Sequence, residues 1–146
     1  MWCSKILVAY DGSASSDKAL QLAVSIAQQQ PDIELVLAHV VKVYAMGSGA
    51  ESALISSADA ILKKLQSCAQ NISNPTTVHM LKGSSAPDLL LSCAKKEGCD
   101  LIVMGSRGNG GVKGYLGSVS YAVVQASPIA VLIAKDTPNT SAQVTD

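Results

Sequence analysis

Hydrophobic and polar positions follow two alternating patterns along this chain, and together they predict nine elements. Short apolar runs such as Lys5–Tyr10 lack a polar face, as strands do when both sides of their sheet are covered. Segments such as Lys18–Gln29 repeat apolar residues every three or four positions, which predicts amphipathic helices. The predicted strands are Lys5–Tyr10, Ile33–Val41, Thr76–Leu81, Asp100–Met104 and Ile129–Ala134; the predicted helices are Lys18–Gln29, Ala50–Asn71, Ala86–Lys96 and Ser118–Ala126.

Strand and helix alternate from the first element to the last, which is typical of one fold class. Right-handed crossover connections of this kind build a parallel sheet with helices on both faces. We therefore predict an α/β, doubly wound domain with a five-stranded parallel sheet over residues 1–135. Residues 136–146 are polar and aperiodic, and we expect a disordered tail there.

Small polar residues mark where the first helix should begin. Ser13 or Ser15 is suited to cap it, and Asp17 in the first turn suits the helix dipole. The run Ser15-Ser16-Asp17-Lys18 also matches the Ser-x-x-Lys pattern of some serine enzymes. Its position at a helix start favours capping over catalysis.

Composition and charge exclude several classes of protein. Lys plus Arg and Asp plus Glu each number 11, so a neutral chain lacks the basic footprint that nucleic acids require. Charged residues make up only 15%, which suits a chain that buries surface against a partner. No apolar run is long enough for a membrane helix, and the first residues lack a charged leader, so we expect a soluble, cytoplasmic protein. The cysteine spacing fits no zinc or redox motif, and we expect reduced, mostly buried thiols.

Two loops follow the carboxyl ends of predicted strands, where ligands bind in open α/β sheets. Asp11 begins the first loop, and its carboxylate either accepts from ribose hydroxyls or serves the turn. The second loop, residues 105–118, holds six of the 11 glycines and leads into a helix start that favours anions. Arg107 and Lys113 add positive charge, and Ser118 either caps the helix or contacts a phosphate. A simple connecting loop is the alternative.

Standard catalytic and phosphate motifs are absent from the sequence. There is no Gly-Lys-Ser/Thr, no Gly-x-Ser-x-Gly and no metal-ligand spacing, and the run Gly108-x-Gly110-x-x-Lys113 lacks the third glycine of the dinucleotide fingerprint. His39 ends the second strand and is either a ligand contact or a packed, hydrogen-bonded residue. His79 lies within the third strand and is expected to be an ordinary face residue.

Several segments together resemble the universal stress protein family, from about Lys5 to Lys135. The segments that carry the resemblance are Lys5–Ser13, Ala38–Val41, Gly98–Gly108, Gly117–Ser120 and Ser127–Ile133. The resemblance implies binding of ATP, or of AMP or ADP, with or without Mg²⁺ or Mn²⁺. It also implies the sites: phosphates at Gly108, Gly117, Ser118 and the N–H groups or hydroxyls of Val119 and Ser120, ribose at Asp11 and Gly105, and adenine against or hydrogen-bonded to the backbone of Ala9, Tyr10 and Val40.

The sequence departs from the pattern of the nucleotide-binding members at one point. Eight residues, 109 to 116, separate Gly108 from Gly117, where those members have nine. The shorter loop either absorbs the loss or moves Gly117 and Ser118 out of register with the phosphates. Because the anchoring residues at both ends are present, we expect binding to be retained.

The resemblance implies a regulator of stress responses that acts through a dimeric surface and an unknown protein partner. The dimer would form through the edge strand Ile129–Ala134, and pairing would protect that apolar edge from aggregation. One alternative is an enzyme, either a slow ATPase or an autophosphorylating protein that uses Ser118 or Ser120. No general base is evident, so any hydrolysis should be slow. The other alternative is an interaction module without nucleotide.

Overall fold

A computed structural model of the chain describes residues 2–43, 48–107 and 116–135, with side chains of 48–55 left out. Nine elements occur there in the predicted order. The strands are β1 Lys5–Ala9, β2 Glu34–Lys42, β3 Thr76–Gly83, β4 Leu101–Gly105 and β5 Ala130–Ala134; the helices are α1 Ala14–Ala27, α2 Ser48–Asn71, α3 Ala86–Glu97 and α4 Ser118–Ala126. Gly108, Lys113 and the predicted tail lie outside the described residues.

The five strands form one parallel sheet in the order β3-β2-β1-β4-β5. The chain moves outward from β1 to β3 and then returns to the other side of β1 for β4 and β5. Strand order therefore reverses between β1 and β4, where a doubly wound sheet opens a crevice at its carboxyl edge. This arrangement confirms the predicted α/β fold.

An aliphatic core covers both faces of the sheet. Ile6 and Val8 of β1 pack in the cluster that holds the apolar residues of α1 and α2. Leu7, between them, packs in the cluster of α3 and α4. All three side chains are fully buried, and each contributes about 1.5–3 kcal/mol of burial free energy. The carboxyl ends of the strands form the rim of the crevice.

The start of α1 and the cap of α4 differ from the sequence predictions. Helix α1 begins at Ala14 rather than Lys18, because Ser13 is the N-cap and its Oγ accepts from Ser16 N–H at 3.1 Å. Ser15, the alternative cap, is helical and buried instead. Helix α4 begins at Ser118 as predicted, but its N-cap is Gly117, so the suggestion that Ser118 caps this helix is wrong.

The strand ends differ too, and the difference shapes the crevice. Strand β1 ends at Ala9, one residue earlier than predicted, and pairs with β2 only as far as Ala38. Strand β2 continues alongside β3 to Lys42. The last residues of β2 therefore project past the end of β1.

The cysteines agree with the sequence expectation. The four cysteines are free, and three of them, Cys3, Cys93 and Cys99, are buried, where burial raises the pKa of each of these three thiols. None of the helices in the described part of the chain combines the length and apolar character that crossing a bilayer requires.

Candidate functional site

A cavity of about 670 Å³ opens at the carboxyl edge of the sheet, beside the point where strand order reverses. Strands β1, β2 and β4 form its floor, and α2, α3 and the start of α4 form its walls. Every predicted site residue in the described part of the chain lines it, namely Ala9, Tyr10, Asp11, Val40, Gly105, Arg107, Gly117, Ser118, Val119 and Ser120. Residues far apart in sequence therefore share one concave surface.

The first half of α2 and the start of α3 add wall residues that the sequence reasoning missed. Ala58 and Ile61 of α2 and Ala86 and Leu90 of α3 line the cavity with apolar side chains. Their apolar character alone resembles that of core positions. Only the knowledge that these helices overhang the carboxyl edge would have singled them out.

Asp11 serves the turn, which is one of the two roles that the sequence left open, and it also lines the cavity. Its Oδ1 accepts from Ser13 N–H at 2.9 Å, which fixes the turn, and its own N–H donates to Ser16 Oγ at 3.3 Å. Gly12 between them has φ of +85°, a conformation that favours glycine. A carboxylate can accept several hydrogen bonds, so this exposed side chain keeps acceptor capacity toward the cavity that it lines.

Tyr10 is a wall of the cavity, and each of its polar groups has a partner in the protein. Its N–H donates to the Ala38 carbonyl at 2.8 Å, and its carbonyl lies 2.8 Å from His39 Nδ1. Its hydroxyl donates to Asp17 Oδ1 at 2.6 Å. Of the two roles that the resemblance implied for Tyr10, lining rather than hydrogen bonding fits these contacts.

A polar cluster behind Tyr10 joins α1 to α2. Lys64 Nζ lies 3.0 Å from Asp17 Oδ1 and 5.1 Å from the centre of the Tyr10 ring. Burial and the bond to Asp17 raise the pKa of Tyr10, so its hydroxyl stays protonated. That hydroxyl, followed by Lys64, lowers the pKa of Asp17. The cluster holds α2 over the cavity that Ile61, one turn from Lys64, helps to line.

The peptide group of Val40 points into the crevice. The N–H of Glu34 donates to Ser4 on the β1 side of β2, whereas the N–H of Val43 donates to Gly83 on the β3 side. Since peptide directions alternate along a strand, even-numbered residues such as Val40 direct N–H and C=O toward the β1 side. Strand β1 has ended at that level, so a donor and an acceptor face the cavity side by side.

Gly105 ends β4 in close contact with α1. A Cβ at this position would lie 2.7 Å from the carbonyl carbon of Ser15 and 2.8 Å from its Cβ, so only glycine fits. The Gly105 carbonyl accepts from Ser120 Oγ at 2.7 Å, and the next N–H, of Ser106, donates to Ser15 Oγ at 2.8 Å. These contacts tie the end of β4 to the starts of both α1 and α4.

The start of α4 supplies backbone donors to the cavity. The N–H groups of Ser118, Val119 and Ser120 lie in the first turn, where a helix leaves N–H groups without helical acceptors and its dipole favours anions. The Gly117 N–H itself donates to the Ser106 carbonyl at 2.7 Å. The Ser120 hydroxyl is committed to Gly105, so of the two serines Ser118, which is exposed, is the better placed to offer a hydroxyl.

Of the two histidines, His39 lines the cavity and His79 does not. His39 is buried and hydrogen-bonded, as the second of its two predicted roles requires, and it is also part of the cavity wall. His79 does not line the cavity; its Nε2 lies 2.8 Å from Glu97 Oε1, which ties β3 to α3. Across the described ranges, no cluster of three or more His, Cys, Asp or Glu is placed to hold a metal ion.

Comparison with known proteins identifies one family by a family model and by curated relatives. The model of the universal stress protein family matches residues 3–135. Universal stress protein YxiE of Bacillus subtilis is 32% identical over 147 residues, covering 90% of this chain and 99% of the relative. Universal stress protein UspA of Lactobacillus plantarum has the same fold, with a TM-score of 0.78 at 24% identity over 90% of this chain and 97% of its own.

A further solved structure carries a ligand. It is a universal stress protein in complex with cAMP, 25% identical, with a TM-score of 0.67 over 91% of this chain and 97% of its own. The family model and the curated relative each span nearly the whole fold described above. This chain belongs to the universal stress protein family.

Proposed function

We propose that this chain binds an adenine nucleotide, with ATP as the first candidate and ADP or AMP as the others, and acts as a regulator in stress responses. One observation carries the proposal. A backbone donor and acceptor at Val40, a carboxylate at Asp11 and the N-terminus of α4 converge on one cavity. Each of these groups suits a different part of a nucleotide.

The base fits the crevice beyond β1. Adenine presents a hydrogen-bond acceptor at N1 next to a donor at N6, which complements the N–H and C=O of Val40. Apolar walls from Ile61 and Leu90 suit the faces of a purine ring. Ala9 and Tyr10 line the same crevice and contribute shape.

The ribose and phosphates fit the rest of the cavity. Asp11 suits ribose hydroxyls because a carboxylate accepts only. The first turn of α4 suits phosphate oxygens, and Arg107 and Lys42 add positive side chains to the lining. A divalent cation would be held by the phosphates, and Asp11 is the lining carboxylate that could also coordinate it. The relative in complex with cAMP supports the choice of an adenine nucleotide.

Regulation fits the site better than catalysis. Asp11 supplies the one carboxylate among the described lining residues, and in the proposed complex it binds the ribose. His39 Nδ1 donates to the Tyr10 carbonyl and so does not act as a general base. Hydrolysis of ATP should therefore be slow. If the chain autophosphorylates, Ser118 is the better acceptor than Ser120, whose hydroxyl is buried and donates to Gly105.

The partner surface we propose is the outer edge of β5, paired with a second copy of the chain. Strand β5 ends the sheet, and the neighbouring helix α4 exposes Tyr121 and Val124 at 57% and 44%. An open apolar edge beside exposed apolar side chains favours burial against another copy. The cytoplasmic location and a further protein partner remain predictions.

Calorimetric titration with ATP, ADP and AMP, with and without Mg²⁺, tests the nucleotide site. We expect saturable binding by the parent chain and loss of binding in Gly117→Val. Gly117 has extended φ and ψ of −66° and 161°, which valine also adopts, so the fold should survive while the side chain blocks the phosphates. Val124→Ala, on the exposed side of α4, is the matched control and should bind like the parent.

The outcomes separate the candidate functions. Binding without phosphate release supports the regulator, and phosphate release on a catalytic timescale that collapses in Ser118→Ala supports the enzyme. No heat of binding from the parent chain would mean that the nucleotide proposal is wrong and that the interaction module is the better description.

A further inference from the structure

We infer that His39 is a positioning residue: its ring holds the Tyr10 carbonyl and so keeps the Val40 N–H available to a ligand. The inference concerns a contact inside the protein, and its consequence for the base rests on the nucleotide function proposed above. The observation behind it is the end of the hydrogen-bond ladder between β1 and β2.

The ladder between β1 and β2 stops one hydrogen bond earlier than the register of the two strands would allow. In a parallel pair, successive bonds from β1 to β2 alternate between N–H and C=O of the same β1 residue. The last bond runs from Tyr10 N–H to the Ala38 carbonyl at 2.8 Å. The next would run from Val40 N–H to the Tyr10 carbonyl, and no such bond forms between these two described residues.

The Tyr10 carbonyl has a different partner. His39 Nδ1 lies 2.8 Å from this oxygen, and the imidazole is 9% exposed. A carbonyl oxygen can only accept, so Nδ1 must carry the proton and donate it. The side chain of His39 therefore satisfies this carbonyl from outside the ladder, and the backbone N–H of its neighbour Val40 does not bond to it.

The consequence is an open edge on β2. Without the imidazole donor, the Tyr10 carbonyl and the Val40 N–H would each lack a partner inside a partly buried wall. Buried backbone groups strongly favour pairing, so the ladder would extend by one bond. That bond would remove the donor that we assign to adenine N1.

Amide hydrogen exchange of the ligand-free protein, followed by NMR, tests the contact directly. The parent should exchange Val40 N–H readily, and His39→Leu, which cannot donate, should slow that exchange by about tenfold as the new bond forms. His39→Asn retains a side-chain N–H donor at a position like that of Nδ1 and should exchange like the parent. Val43 N–H, which donates to Gly83 in β2 and β3, is the internal control and should not change.

Binding of AMP and of ribose 5-phosphate tests the consequence. We expect His39→Leu to weaken AMP by about tenfold while ribose 5-phosphate, which has no base, binds equally to all three proteins. His39→Asn should restore AMP binding to within about threefold. A defect that is confined to the ligand with a base is not expected from general loosening of the fold.

The two readouts keep the proposals apart. Equal Val40 exchange in the parent and His39→Leu would overturn the inference whatever the nucleotide result. Slowed exchange in a protein whose parent form does not bind AMP would support the contact and reject the proposed nucleotide function. If His39→Leu does not fold, His39→Gln replaces it, because its longer side chain carries the amide away from the Nδ1 position.

Discussion

Gly105 is fixed by packing against α1 as much as by the cavity that it lines. A Cβ added there would press on the backbone of Ser15, which cannot move without disturbing the start of α1. We predict that Gly105→Ala lowers the free energy of unfolding by about 1–3 kcal/mol, measured by urea denaturation. Gly83→Ala is the matched control, because its Cβ would meet only the tip of Leu89, at 2.9 Å, which can rotate away. Equal losses in the two variants would contradict this account.

The Asp17 carboxylate gives the stability of the protein a pH dependence at the acidic end. Hydrogen bonds from Tyr10 and Lys64 lower its pKa below the ordinary 3.8. A lowered folded-state pKa stabilises the fold above the unfolded-state value, and the stabilisation is lost as pH falls through the folded-state pKa. We predict that the parent exceeds Asp17→Asn in unfolding free energy near neutral pH and that the gap closes below about pH 4. Urea titrations across this range measure it, and a gap that does not change with pH would exclude Asp17 as the cause.

Helix α4 owes its position to bonds at its first turn. Ser120 Oγ donates to Gly105, and Gly117 N–H donates to Ser106, so the helix start is joined twice to the end of β4. An anion-binding helix start is useful only if it points consistently at the ligand. The two serines of this turn therefore have different roles: the Ser120 hydroxyl bonds within the protein, and the Ser118 hydroxyl is exposed at the cavity.

Alanine at each serine should separate these roles. We predict that Ser120→Ala lowers the unfolding free energy by about 1 kcal/mol, because the buried Gly105 carbonyl loses its donor. Ser118→Ala, at an exposed site, should change stability by less than about 0.5 kcal/mol yet weaken ATP binding. Chemical denaturation and calorimetry on both variants give the comparison. A larger stability loss in Ser118→Ala would reverse the assignment.

The sequence predicted the identity and order of the elements better than their ends. Apolar runs and helical periodicity reflect which residues are buried, and the strands and helices bury those residues against each other. The start of α1 at Ala14 depends on which serine is the cap: Ser13 caps the helix, while Ser15 is helical and its Oγ accepts from the distant Ser106 N–H, a contact that local pattern does not contain. The end of β1 at Ala9 depends likewise on a cross-strand pairing. The resemblance identified the cavity residues, whereas the engagement of Tyr10 and Ser120 inside the protein required coordinates.

At the scale of the whole molecule, the direction of peptide groups along β5 determines how a second copy could pair. The Ala134 carbonyl accepts from Ser106 on the β4 side, so even-numbered residues of β5 face β4. Val131 and Ile133 then direct their N–H and C=O outward. Within the described residues no further strand pairs with this edge, so a second strand could join it without any change in the sheet.

Proline distinguishes the two sides of this strand. We predict that Val131→Pro removes an outward N–H, leaves the bonds to β4 intact and converts a dimer into a folded monomer. Leu132→Pro removes an inward N–H and should instead destabilise the fold. Light scattering after size-exclusion chromatography reports mass, and circular dichroism reports folding. A parent chain that is already monomeric, or a Val131→Pro variant that still dimerises, would reject pairing through β5.

The hydrogen bond between the Ser106 carbonyl and the Gly117 N–H fixes the two ends of the segment between them, and this bond does not depend on the length of that segment. Ten residues, 107 to 116, leave and return at one point, and adding an eleventh changes the closure entropy by only about 0.1 kcal/mol. We therefore expect changes of length at this point to leave Ser106 and Gly117 in place. The same property makes the segment suited to insertion of a foreign peptide or a fluorescent label, which would enter the chain close in sequence to Gly117 of the proposed nucleotide site.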